Sequence, residues 1–235
     1  MSQPFRFKQF SVADDRCGQK VGTDSILLGS WANAADVHRV LDIGTGCGLL
    51  ALMLAQRFSS AAITAIEIDT SAFEQAQQNF HASPWANRLT ANHTDASKFT
   101  STKLFDLIVC NPPYFKAACG SNHDSRTIAR HEDQLTFIDL TKVAATLLSQ
   151  QGRFCTVLPF DRALEFTDIT AQHQLHLVRR CDVQPTPTSN PKRSLLAFGL
   201  QKTEALDCTD LVLEEARHQY AAGYMKLAKD FLLKM

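Results

Sequence analysis

Val40-Leu41-Asp42-Ile43-Gly44-Thr45-Gly46-Cys47-Gly48-Leu49-Leu50 passes from aliphatic residues through alternating glycines into a leucine-rich run. Residues 40–43 predict a strand. Residues 44–48 predict a turn, because glycine enters backbone conformations closed to other residues and lets a ligand approach the main chain. Residues 49–58 place leucine and methionine at helical spacing. A strand, a glycine-rich loop and a helix in that order aim unpaired helical N–H groups at whatever the loop holds. The pattern is not the G-x-G-x-x-G dinucleotide fingerprint, since the third glycine follows the second by two residues and leucine occupies position 49.

Working outward, residues 63–68, 88–93, 104–110 and 153–158 read as further strands. Residues 71–80, 135–149 and a segment opening near Asp161 read as helices. That alternation predicts an α/β fold with a mostly parallel sheet wrapped by helices. Asn111-Pro112-Pro113 ends the fourth strand, because two prolines cannot join a sheet interior. Residues 175–183 and 195–201 read as two late strands joined by the proline-rich stretch 185–191, an antiparallel pair suited to a sheet edge. Residues 210–233 read as helical, broken near Gly223. The expectation is a seven-stranded sheet with an antiparallel edge strand. It belongs to a single domain over 1–235, made of an extension (1–38), a core (39–202) and a C-terminal helical segment (203–235).

With 235 residues, 45% of them hydrophobic, the chain can bury a large core. Its 24 basic and 24 acidic side chains cancel, which excludes indiscriminate polyanion binding; any nucleic-acid contact must come from a local patch. No apolar run approaches the roughly 20 residues a bilayer span requires, so no membrane is expected. The first twenty or so residues interleave Phe5, Phe7 and Phe10 with Arg6, Lys8 and Gln9, unlike a secretory signal. The aromatics are expected in the core. Seven scattered cysteines lack C-x-x-C or zinc spacing and read as reduced thiols of a cytoplasmic protein, with no metal expected.

The loop 44–48 resembles the S-adenosylmethionine site of Rossmann-like class I methyltransferases, with Gly44, Gly46 and Gly48 as its glycines and Asp42 before them. Glu67 ends the second strand, where a carboxylate can accept both ribose hydroxyls of a nucleoside; Ile68 follows it. Asp69 reads first as a helix cap. Asp95 and Ala96 follow the third strand, where a carboxylate can accept the amino hydrogens of adenine. Asn111-Pro112-Pro113-Tyr114, then Phe115, matches the signature of methyltransferases that modify a planar, conjugated nitrogen, in adenine or in a glutamine amide. Such a nitrogen is a poor nucleophile because its lone pair is delocalised. The Asn111 side-chain oxygen and the Pro112 carbonyl can hold its two hydrogens and aim it, on a backbone stiffened by proline. Tyr114 supplies a stacking face.

Upstream, Lys20-Val21-Gly22-Thr23-Asp24-Ser25-Ile26-Leu27-Leu28 resembles the K-x-G-T-D-x-x-L-L segment of the bacterial tRNA1(Val) adenosine N6-methyltransferase family. Similarity continues through Ala129-Arg130-His131-Glu132 to Asp230-Phe231-Leu232-Leu233-Lys234. The resemblance implies an enzyme that takes S-adenosylmethionine and methylates the adenosine 3′ of the anticodon. It also implies that the extension covers the cofactor, with Thr23 and Asp24 at its methionine end. As bare residues, Thr23 and Asp24 equally suit the start of a helix. RNA is expected on Phe115, on Arg130 within the polar 116–133 loop, and on Lys192 and Arg193. These last two belong to a basic run with Arg179, Arg180 and Lys202 against Asp182 alone, although the family's basic stretches are diluted here. Two alternatives stand: a glutamine N5-methyltransferase acting on a release factor, and a non-catalytic RNA-binding module. The upstream elements of the release-factor enzymes are absent from this sequence.

Overall fold

The computed structural model describes residues 3–113 and 135–234. A hairpin of β1 (Phe5–Arg6) and β2 (Ser11–Val12) leads to α1 (Thr23–Trp31). The alternating core then runs β3 (Arg39–Ile43), α2 (Leu49–Arg57), β4 (Ala62–Glu67), α3 (Thr70–His81), β5 (Leu89–His93) and β6 (Phe105–Cys110). After residue 134 come α4 (Phe137–Leu147), β7 (Leu148–Pro159), α5 (Ala163–Gln172), β8 (His176–Gln184), β9 (Arg193–Gly199) and β10 (Asp207–Val212). A hairpin of β11 (Glu214–Ala216) and β12 (Gln219–Tyr220) precedes α6 (Ala222–Ala228).

The main sheet has the order β10-β8-β9-β7-β6-β3-β4-β5. β3 pairs in parallel with both β4 and β6, β4 with β5, and β6 with β7; β9 alone runs against its neighbours β7 and β8. β3 and β6 are central because their residues are apolar on both faces, Val40, Leu41 and Ile43 alongside Leu107, Ile108 and Val109 all being buried. Successive connections diverge from β3, toward β4 on one side and β6 on the other. A crevice therefore opens at the carboxyl ends of these strands, the place where open α/β sheets bind ligands.

The architecture is the expected α/β type, with eight strands in the main sheet rather than seven. The antiparallel strand is not at the edge: β9 lies inside, between β7 and β8, and β10 covers β8 in turn. Residues 210–233 are not a broken helix. Asp207–Val212 satisfies the outer edge of β8 in parallel register, and helix proper is confined to Ala222–Ala228, with Gly223 in its first turn. The spacing of Leu211 and Leu213, which both pack against the core, follows strand periodicity. The Glu214–Ala216 stretch, despite residues of helical preference, instead forms a hairpin with Gln219–Tyr220.

Side chains pack on both faces of the sheet. On one, α1, α2 and α6 bury Leu27, Leu52, Met53 and Ala228 against Val109, Cys155 and Val157. On the other, α4 and α5 bury Leu140 and Phe166 against Ile108, Phe154 and Phe198. Of the N-terminal aromatics, Phe7 and Phe10 are buried with rings stacked at 4.5 Å, and Phe5 is exposed. Phe166 has no accessible surface and meets the rings of Phe137, Phe154 and Phe198 edge-on at 4.8 to 6.2 Å. Phe166→Ala is therefore expected to destabilise the protein by about 3–5 kcal/mol, read from chemical denaturation midpoints at unchanged slope.

Candidate active site

A cleft of about 880 Å3 opens along the carboxyl ends of β3, β4 and β6. One flank is the glycine loop. Gly44 and Gly46 have φ of 68° and 57°, and a Cβ at either would point into open space, so their main chain is bare toward the cleft. The loop is tied to β4: the N–H groups of Gly44 and Thr45 donate to the Ile66 carbonyl, and that of Gly46 donates to Glu67 Oε2 at 2.8 Å. The other carboxylate oxygen of Glu67 accepts from the N–H groups of Ile68 and Asp69, both at 2.9 Å. Ile68 is 53% exposed and lines the cleft, an apolar surface suited to the face of a base.

Asp69 and Asp95 also line the cleft, each capping the helical turn that follows. Asp69 accepts from the Ala72 N–H; Asp95 Oδ1 accepts from the N–H and hydroxyl of Ser97. Ala96 completes this wall. Glu67, Ile68, Asp95 and Ala96 thus meet Gly44 and Gly46 around one space. The bare loop, the carboxylate at the end of β4 and the apolar wall fit a nucleoside cofactor.

Asp42 and Gly48 stand outside the cleft lining. Gly48 gives room to the Phe80 ring, which a Cβ would meet at 2.5 Å. Asp42 is completely buried, and its Oδ2 accepts from the Thr45 hydroxyl at 2.5 Å and the Ala51 N–H at 3.1 Å. Its Oδ1 has no hydrogen-bond partner among the described residues. Burial raises its pKa to about 7, against the lowering effect of the two donors. Asp42 braces the loop from beneath.

The opposite flank comes from residues 16–19, which join the cleft through Arg16, Cys17, Gly18 and Gln19. Two amide side chains on α3 hold this segment. Asn79 accepts from the Ala13 N–H and donates to the carbonyls of Ala13 and Cys47, and Gln75 accepts from the Arg16 N–H. Both are buried, at 5% and 2% exposure. The sequence signal was available but unread: two polar residues one helical turn apart on a face otherwise made of Ala72, Ala76 and Phe80. The hydrogen bond to Cys47, burial and the nearby Glu67 and Asp14 carboxylates hold the Cys17 thiol protonated.

At the end of β6, Asn111 and Pro112 form the floor of the cleft, with Pro113 and Leu135 at its mouth. Asn111 is 8% exposed, and its Nδ2 donates to Ser25 Oγ at 2.9 Å. Thr23 and Asp24 do not line the cleft. They open α1, whose cap is Gly22 with no side-chain hydrogen bond. The Asp24 carboxylate instead accepts from Arg193 Nε at 2.8 Å. Two residues expected to serve different ligands, cofactor and RNA, therefore satisfy each other.

The basic run is likewise compensated. Arg180 Nε donates to both carboxylate oxygens of Asp182, at 2.8 and 3.0 Å; Arg179 lies 4.0 Å from the Trp31 ring centroid and pairs with Asp207 at 3.7 Å. Asp207 reaches Arg179 because β10 pairs with β8 in that register, a strand the sequence reading lacked. The expected surplus of positive charge is correspondingly reduced. Lys192 sits in the β8–β9 connection, at the cleft end of the sheet. Tyr114, Phe115 and Arg130 lie outside the described residues. Among the described residues no group of three His, Cys, Asp or Glu side chains could hold a metal ion, and no helix is long and apolar enough to cross a membrane.

Residues 17–173 match the family model described as the methyltransferase small domain. A predicted O-methyltransferase from Agrobacterium tumefaciens superposes with a TM-score of 0.68 at 18% identity, over 88% of this chain and 96% of that one. A glycopeptide N-methyltransferase solved with S-adenosylmethionine gives 0.53 at 11% identity, over 72% and 90%. The fold is that of the class I methyltransferases. Among named proteins, the tRNA1(Val) (adenine(37)-N6)-methyltransferase of Phocaeicola vulgatus is 45% identical over 231 residues, 98% of each chain. That of Flavobacterium johnsoniae is 42% identical over 234 residues, 98% of this chain and all of the other. This chain belongs to their family.

The buried Asp42 sets a pH dependence. Its folded pKa lies above the ordinary carboxylate value, so between about pH 4 and pH 7 the folded state keeps a proton that the unfolded chain has released. Stability contributed at the low end is lost as pH rises through that window. Relative to Asp42→Asn, the unfolding free energy of the wild type should fall by a few kcal/mol from pH 4 to 7 and run parallel above it. Denaturant titrations of both proteins across this range check the sign.

Proposed function

We propose that this protein transfers a methyl group from S-adenosylmethionine to the exocyclic N6 amine of an adenosine in tRNA, the adenosine at position 37 of tRNA1(Val), in the cytoplasm. The observation that carries the reading is that Asn111 and Pro112 form the floor of the same cleft that the glycine loop and Glu67 flank. The names of the full-length relatives supply the nucleic acid and the nucleotide. Those names also favour adenosine over the glutamine amide that the Asn-Pro-Pro-Tyr motif alone permits.

In this reading Glu67 holds the ribose hydroxyls, Ile68 and Ala96 pack against the adenine, and Asp95 accepts its amino hydrogens. Gly44 and Gly46 admit the methionine portion close to the main chain. Bound there, S-adenosylmethionine supplies an electrophilic methyl group on a sulfonium. The Asn111 carbonyl oxygen and the Pro112 carbonyl accept the two hydrogens of the substrate amine. They favour a pyramidal nitrogen whose lone pair points at the methyl carbon. Aimed in this way, the amine would take the methyl group in line with the sulfonium, which would leave as a neutral thioether, and the surplus proton would pass to water. Positioning carries most of the acceleration, because the leaving group is already neutral on departure. Tyr114 and Phe115 stack on the target base, which must leave its neighbours in the anticodon loop at a cost of a few kcal/mol. Arg130 and Lys192 meet phosphate.

Labelled methyl transfer into total tRNA from a strain lacking this protein, followed by nucleoside mass spectrometry, tests the whole reading. N6-methyladenosine in one tRNA species is the expected result; label in a release factor alone would move the substrate to glutamine. Asn111→Ala should lower kcat by about 10²–10³-fold and leave cofactor affinity within a few-fold. Glu67→Ala should weaken cofactor binding at least ten-fold by calorimetry, and unchanged affinity would remove the ribose contact.

A further inference from the structure

The proposed chemistry asks the Asn111 side chain to act as an acceptor, yet a primary amide has two ends of nearly equal size and opposite hydrogen-bonding sense. Turned one way it offers Oδ1 to an amine; turned the other it sets Nδ2–H against the amine's own hydrogens. A contact from another part of the chain bears on the sense. Nδ2 donates to Ser25 Oγ at 2.9 Å, across 86 sequence positions, at a residue only 8% exposed and so poorly supplied with water as an alternative partner.

Ser25 is held in place by the residue before it. Asp24 accepts from Arg193 Nε at 2.8 Å, and Arg193 opens β9 level with Pro159 at the end of β7. That ion pair, with its partners 19% and 35% exposed, fixes the first turn of α1 across the carboxyl ends of the sheet. Ser25, next in the same turn, then meets the residue that follows β6.

We infer that Ser25 is a positioning residue for methyl transfer: its hydroxyl accepts the Asn111 amide N–H and thereby turns the amide carbonyl oxygen toward the substrate amine. The inference rests on the reading of Asn111 as the amine acceptor. With the amine present, this is the one orientation in which Ser25 accepts from Nδ2–H while Oδ1 accepts from the amine. The reversed amide pairs Oδ1 with the serine hydroxyl and leaves two N–H donors facing each other. A methyl group in place of the hydroxyl removes the preference that this contact supplies. Ser25 touches no reacting atom, and its effect belongs in kcat rather than in binding.

The test is steady-state methylation of unmodified tRNA by Ser25→Ala, Ser25→Thr and Asn111→Ala, with cofactor affinity followed by calorimetry and folding by thermal melting. Ser25→Ala should lower kcat about ten-fold while leaving the KM for tRNA and the cofactor Kd within two-fold; Ser25→Thr, which keeps the hydroxyl, should retain at least half of kcat. In an Asn111→Ala background the serine substitution should cost nothing more. A wild-type kcat in Ser25→Ala, a threonine variant as slow as the alanine one, or a further ten-fold loss in the double variant would each overturn the inference. If Ser25→Ala melts too early to assay, Ser25→Cys, near in size and a weak acceptor, replaces it: reduced kcat supports the role and full kcat removes it. A normal rate in Asn111→Ala alone defeats the underlying reading of the acceptor, whereas a crippled Asn111→Ala beside a normal Ser25→Ala defeats only the role of Ser25.

Discussion

Three backbone N–H groups, those of Gly46, Ile68 and Asp69, converge on the Glu67 carboxylate at 2.8 to 2.9 Å. This convergence joins the loop after β3 to the turn after β4, two segments that would otherwise meet only through strand pairing. It sets the width of the crevice and holds Gly44 and Gly46 in conformations that keep main chain bare toward the ligand space. Hydrogen bonds from the loop to Ile66 and the buried Asp42 beneath it complete a rigid cradle. The cost is a carboxyl group sealed from water with one oxygen unpartnered among the described residues.

The two sides of the crevice are built by different means. The cofactor side is local, made from consecutive strand-loop-helix units and walled by the 16–19 segment that Gln75 and Asn79 grip. The acceptor side is assembled from distant parts: the end of β6, the first turn of α1 and the start of β9, joined by the Ser25–Asn111 and Asp24–Arg193 contacts. In the proposed reading, a ligand in the first half meets main chain and one carboxylate, and a ligand in the second meets an amide held from a distant part of the chain.

The legible part of this protein was its repeating unit. Alternating aliphatic strands and amphipathic helices from residue 39 to 199 announced themselves by periodicity, and strand ends at Gly44, Glu67, Asp95 and Asn111 marked the crevice. What escaped depended on partners that periodicity does not encode. β10 has an unremarkable sequence whose pairing was decided by an open sheet edge, and it carried Asp207 to Arg179. Asp24 was expected at the cofactor from the family resemblance and Arg193 at RNA from its place in a basic run; only the folded chain shows that they are 2.8 Å apart. Ser25 gave no signal at all, a serine in the first turn of a helix being unremarkable by sequence alone.

The Asp24–Arg193 contact also has a temporal side. Its partners are 169 positions apart, and synthesis runs from the amino end. The glycine loop and Glu67 are synthesised long before Arg193. At roughly 5–20 residues per second, the first turn of α1 waits on the order of ten seconds for the guanidinium that fixes it. The partners that build the cofactor side are thus all synthesised before the last partner of the acceptor side. That order separates, along the chain, the residues that would hold a nucleoside from the contact that fixes the geometry for acting on another molecule.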